Sequence, residues 1–146
     1  MTKLRLLVVV AALALALSLV AVSSATPRSG ILHVTKECSQ YTGAAGAFCT
    51  ITSSNINTIK AGSRVVYASA DGDPIPGFLN SDLMIDGPGN NTAYGHVVLN
   101  DSTGNGVVAF SGGTGEFSHF HAVLLVRCPV LPNCTWDGPY WFGPHN

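Results

Sequence analysis

The sequence predicts an all-β fold of about eight short strands, and three observations carry that reading. Runs of β-branched and aromatic residues recur from Ile31 onward, separated by Gly, Asn, Asp and Pro, as strands are separated by turns. No ten-residue window beyond the N-terminal segment carries the apolar stripe of an amphipathic helix. The segment Ala122-Val-Leu-Leu-Val126 is apolar at every position, so neither of its alternating faces suits water. Strands with short connections and no helices form either a sandwich or a closed barrel. A small barrel hides one face of such a strand inside itself; hiding the other requires a second subunit or a terminal segment. The run at 122–126 therefore points to a barrel that self-associates or is wrapped by its own tail, where Tyr140, Trp141 and Phe142 stand in succession.

The first 25 residues are a different material. Lys3 and Arg5 precede the apolar run Leu6–Val22, and Ser23, Ser24 and Ala25 follow it. That order of positive, apolar and small residues is the pattern of a secretory signal peptide cleaved after Ala25, with Ser23 as the second choice. As a membrane anchor the run is at the short limit for ~30 Å of hydrocarbon, and no basic stop follows it. The expected organisation is a signal peptide at 1–25 and one domain at 26–146, without a stable membrane anchor in the mature form.

Strands are expected near 31–38, 47–53, 63–69, 81–86, 92–100, 105–111, 117–128 and 134–142. The run Asn100-Asp-Ser-Thr-Gly-Asn105 reads as a polar hairpin turn with Gly104 at a position of positive φ. A single helical turn is expected around Ser54–Lys60, capped by Ser53 or Ser54. Asp71-Gly-Asp-Pro74 lacks the further carboxylates of a calcium loop and reads as a turn.

Removing Lys3 and Arg5 with the leader takes the formal charge from −1 to −3, and the remaining basic residues form no stripe. Nucleic acid and anionic lipid are therefore not expected partners. All four cysteines, Cys38, Cys49, Cys128 and Cys134, lie beyond the leader, and an even count in an exported chain reads as disulfides. Of three pairings the two local ones, Cys38–Cys49 and Cys128–Cys134, are preferred, since each closes a short loop between strands. The close Cys-x-x-Cys pairs of a zinc site are absent.

The run GVVAFSGGTGEFSHFHA (106–122) resembles the motif of the allene oxide cyclase and dirigent barrels, in which a strand ends in a Gly-Gly-Thr-Gly turn and a Phe starts the next. The flanks Asn100-Asp-Ser-Thr-Gly and Cys134-Thr-Trp-Asp-Gly-Pro-Tyr fit the same pattern. The likeness is sharpest over 92–142 and is only a matter of strand spacing before it. It implies an eight-stranded antiparallel β-barrel, often trimeric, with an apolar cavity and no cofactor. Family members close a ring in a reactive epoxide or orient phenolic radicals. On this reading Gly112, Gly113 and Gly115 mark a barrel corner and Phe117 anchors the returning strand. The family's acid, base and binding positions do not match this chain residue by residue.

Candidate chemistry gathers at few places. On a strand from 117, residues Phe117, His119 and His121 would share one face, since i and i+2 do. A His-x-His pair is a start for a metal site, with His96 as third ligand and Glu116 or His33 behind it. The carboxylate that follows such a pair in cupins is missing: 122–126 is Ala, Val, Leu, Leu, Val. A pocket-rim role for the two rings is therefore preferred to a cupin-like metal site. Tyr94, His96, His121 and Asp137 are the acid–base candidates; Asp137, beside Trp136, is expected in an apolar setting that would raise its pKa. Arg64, if turned inward, could hold a carboxylate tail, with His119 and Phe117 as further ligand contacts. Each also has a plain structural reading as core, turn or surface residue.

No Gly-x-Ser-x-Gly elbow and no Gly-x-Gly-x-x-Gly turn opening a helix is present, so hydrolase and nucleotide-cofactor readings lose support. Sequons start at Asn90, Asn100 and Asn133, where turn composition explains them equally well. The expected work is binding of a small apolar or aromatic molecule, with any catalysis a cofactor-free cyclisation or isomerisation. The rival is a non-catalytic extracellular protein whose apolar strand faces serve assembly, and a homo-oligomer is expected in either case.

Overall fold

A computed structural model describes residues 28–143. The signal peptide expected at 1–25 lies outside the described residues. Eight antiparallel strands close into an up-and-down barrel in sequence order, with β8 returning to pair with β1. They are β1 (Ser29–Glu37), β2 (Phe48–Ser54), β3 (Arg64–Tyr67), β4 (Phe78–Gly87), β5 (Asn91–Asn100), β6 (Asn105–Gly113), β7 (Phe120–Val130) and β8 (Asn133–Phe142). Closure removes the free edges that an open sheet would expose.

Alternation sets the inside. On β1 the buried positions are Leu32, Val34 and Lys36; on β4 they are Leu79, Ser81, Leu83 and Ile85; on β7, Phe120, Ala122, Leu124 and Val126. The opposite face of 122–126 is exposed here, with Val123 and Leu125 pointing outward.

The seven connections divide between two ends. At one end lie the loops β2–β3, β4–β5 and β6–β7, together with the N-terminal start of β1 and the C-terminal end of β8. Here Phe110, Phe117, Phe120 and Phe142 fill the barrel, ring centroids 5.3–5.7 Å apart along the chain of contacts, and Trp136 adjoins Phe110. The glycine run forms this corner. Gly115 sits at φ 57°, where a side chain would be strained and its first carbon would collide with the Asn91 carboxamide.

Two expectations need correction here. The strand after the glycines starts at Phe120, because Gly115–Phe117 winds into a 3-10 turn and His119 takes φ 63°. Phe117 and His119 therefore do not share a strand face with His121. Around Ser54–Lys60 the chain forms turns rather than a helical turn: the Ser54 hydroxyl accepts from the Ile56 N–H at 3.2 Å, and the Ile59 N–H bonds back to the Ile56 carbonyl.

At the other end lie the loops β1–β2, β3–β4, β5–β6 and β7–β8. Both disulfides are here, paired as preferred: Cys38–Cys49 and Cys128–Cys134. Gly104, at φ 64°, turns the β5–β6 hairpin as its position required.

Candidate functional site

At the disulfide end the four loops are tied into a ring by backbone hydrogen bonds. The Cys38 N–H donates to Pro132, Asp71 to Gly43, Asp101 to Gly77, and Cys128 to Gly104, all at 2.8–3.0 Å. Each loop is thereby fixed to its neighbours, and the mouth is held open as a preformed shape. It encloses a cavity of about 150 Å³. Tyr41, Leu79 and Leu99 contribute its walls, and Asp71, Asp101 and Leu131 stand among its loop residues.

Lys36 occupies the inward end of this space. Strand alternation carries it inside, two residues beyond Val34, and its residue exposure is 4%. Its Nζ donates to Tyr67 Oη at 2.5 Å and lies 3.7 Å from Cys49 Sγ and 3.9 Å from Cys38 Sγ. The rings of Trp136 and Tyr67 face it at 5.1 and 5.3 Å. The ion pairs among the described residues, His33–Asp137 and His96–Asp82, leave Lys36 without a carboxylate. A charged amine taken from water with only a phenol, two sulfurs and two ring faces as partners is poorly compensated. Burial accordingly lowers the Lys36 pKa to about 7.

The surrounding groups shift the opposite way. Burial, followed by Tyr41, raises the Tyr67 phenol well above its ordinary value. Tyr41, stacked edge-on to Tyr67 at 5.2 Å, is pushed up to about 12 by burial and then by Asp71 and Asp101. The Asp101 carboxyl is raised by desolvation first and by Asp71 second, against a lowering bond from the Leu79 backbone. The Tyr41 hydroxyl is buried and has no hydrogen-bond partner among the described residues. One small cavity thus brings together an amine poised between charged and free base, two protonated phenols and a pair of carboxyls.

The residues picked out from sequence lie elsewhere. Tyr94 is on the outer wall, in an apolar groove with Val66 and Met84. His96 is also outside, its Nδ1 on Asp82 Oδ1 and its Nε2 on Asn80 Oδ1, both at 2.8 Å, so neither nitrogen is turned toward an ion. His121 points outward and stacks on Trp141, with ring centroids 5.4 Å apart and planes 11° from parallel. Asp137 is not in an apolar setting: it pairs with His33 Nδ1 at 2.6 Å across the outer β1–β8 seam. Arg64 is exposed, its guanidinium 4.7 Å over the Phe48 ring. Phe117 is fully buried in the aromatic plug, and half-buried His119 stands in the turn before β7, its carbonyl accepting the Gly143 N–H. Gly112, Gly113 and Gly115 belong to that same closed end. Among the described residues no three His, Cys, Asp or Glu side chains gather as a metal site.

Lys36 was findable. In Leu32-His-Val-Thr-Lys36 the apolar residues alternate, and a lysine in phase with Leu32 and Val34 is an inward lysine. Asp71 and Asp101 carried no such signal, since each stands in a turn-forming run and meets the other only when β4 and β5 pair and set their loops side by side. No family model matches the chain, and no curated protein and no solved structure matches it either.

Proposed function

We propose that this protein is a secreted, disulfide-stapled barrel that binds a small, largely apolar molecule at its disulfide end, in the manner of the allene oxide cyclase and dirigent barrels. The observation that carries this reading is the preformed 150 Å³ cavity with Lys36 and Tyr67 at its inner end. An apolar cavity of that size in a protein interior accommodates benzene. The occupant is therefore a molecule of one ring or a short chain, smaller than the usual drug-sized ligand. Lys36 and Tyr67 supply donors to an oxygen on the buried end of the ligand. The two disulfides, together with the signal-like leader, support export to an oxidising compartment. No helix among the described residues is long and apolar enough to cross a membrane.

Titration of the protein with benzyl alcohol, followed by NMR, tests the site. Saturable shifts are expected at Tyr41, Tyr67 and Leu79, and Leu79→Trp, which fills the cavity, is expected to abolish them. Shifts confined to the outer wall, or none, contradict the proposal.

A second reading, self-association, is favoured by a separate feature. Val98, Val107 and Leu125 are register neighbours across β5, β6 and β7, and each is 43–51% exposed on the outer wall. Such a row is the kind of surface a second subunit covers, as in a trimer. Sedimentation should give an oligomer that Leu125→Asp reduces to monomer; a wild-type monomer at high concentration contradicts it.

A further inference from the structure

We infer that Lys36 is a covalent capture site for small aldehydes, forming an imine inside the disulfide-end cavity. This rests on the binding reading above and adds the chemical class of the ligand. The Lys36 amine is buried, lines the cavity, has no carboxylate partner among the described residues, and is anchored through Tyr67 Oη. An N–H donated to Tyr67 leaves the nitrogen lone pair free to face the cavity. The amine attacks the carbonyl carbon, forming the C–N bond. The carbinolamine then loses water, the carbonyl oxygen leaving with both amine protons, and a C=N bond remains. No oxidant or reductant is consumed.

The neighbours suit both halves of this step. With a pKa of about 7 roughly half of the Lys36 amine is free base at neutral pH, against about 1 in 3,000 for a fully solvated lysine. Tyr67, protonated and 2.5 Å from Nζ, is positioned to give a proton to the departing hydroxyl. The faces of Trp136 and Tyr67 then lie against any charge that the imine carries. Tyr41, Asp71 and Asp101 are the other titratable groups around the cavity.

Benzaldehyde, a one-ring aldehyde, is the probe. The protein is incubated with it and sodium cyanoborohydride at pH 7, which fixes the imine as a benzyl amine, and the sites are mapped by peptide mass spectrometry. Lys60, on the surface, is the internal reference. Labelling of Lys36 is expected to exceed that of Lys60 at least tenfold, and denaturation with reduced disulfides should erase the preference. Benzyl alcohol, which cannot form an imine, reports occupancy separately by NMR. If it binds in the cavity while Lys36 labels no faster than Lys60, the covalent inference is overturned and the binding reading stands. If neither occurs, both are overturned. Lys36→Met, checked for folding by circular dichroism, should lose the selective label while the Lys60 label persists.

Discussion

The two ends of the barrel solve the same problem, stopping a tube, with opposite chemistry. The glycine end is stopped by apolar volume: Phe110, Phe117, Phe120 and Phe142 pack ring against ring. The disulfide end is braced by a disulfide within each of two hairpins and by backbone hydrogen bonds between loops, which frame the mouth without filling it. The space left there receives the Lys36 amine, whose burial is poorly compensated. On the proposed function, the difference separates a structural end from a working end. A motif with the appearance of chemistry, His119 and His121, belongs to the structural end, while the working end is built from residues that look ordinary one at a time.

The largest effect expected at the plug comes from Phe117→Ala. Emptying a fully buried ring should cost about 3–5 kcal/mol in chemical denaturation, while benzyl alcohol binding at the far end persists. A loss of binding comparable to the loss of stability would mean that the two ends are not independent. Lys36→Met should shift stability the other way, raising the denaturation midpoint, because burial of that amine is poorly compensated.

The pH dependence follows from the same group. The Lys36 pKa is about 7 folded against 10.5 as the ordinary value, so between these the unfolded chain binds more protons. Wild-type stability should therefore rise with pH from about 7 toward 10, by at most about 1.4 kcal/mol per unit from this group. The rise ends where tyrosines of the unfolded chain ionise near 10 and buried Tyr67 does not. In Lys36→Met that rising limb should vanish, which denaturation midpoints at pH 6, 8 and 9.5 would check. The smallest effect is expected from His121→Ala, which removes a ring stack with Trp141 on the outer wall: a stability change of about 1 kcal/mol, and no change in cavity binding.

How much of this was legible in the sequence differs between fold and site. Strand count, hairpin turns and disulfide pairing followed from local signals, because alternation, glycine and short cysteine loops each act within a few residues. The start of β7 did not, since the 3-10 turn at Gly115–Phe117 is stabilised by Asn91 reaching from the previous hairpin to the Glu116 N–H. The cavity was less legible still. Lys36, Tyr67, Asp71 and Asp101 come from β1, β3 and two loops, and they meet only once β1 to β5 have paired in order. His119 and His121 drew notice through spacing that a strand would have honoured and a turn does not.

The most direct test of the account is the titration of the Lys36 side chain itself, followed through its Cε and Nζ resonances in protein labelled with carbon-13 and nitrogen-15 lysine. The account predicts a midpoint near pH 7, displaced when benzyl alcohol fills the cavity. A midpoint near 10.5, unmoved by benzyl alcohol, would mean that the amine is solvated, and the disulfide end would lose its claim to be the working end.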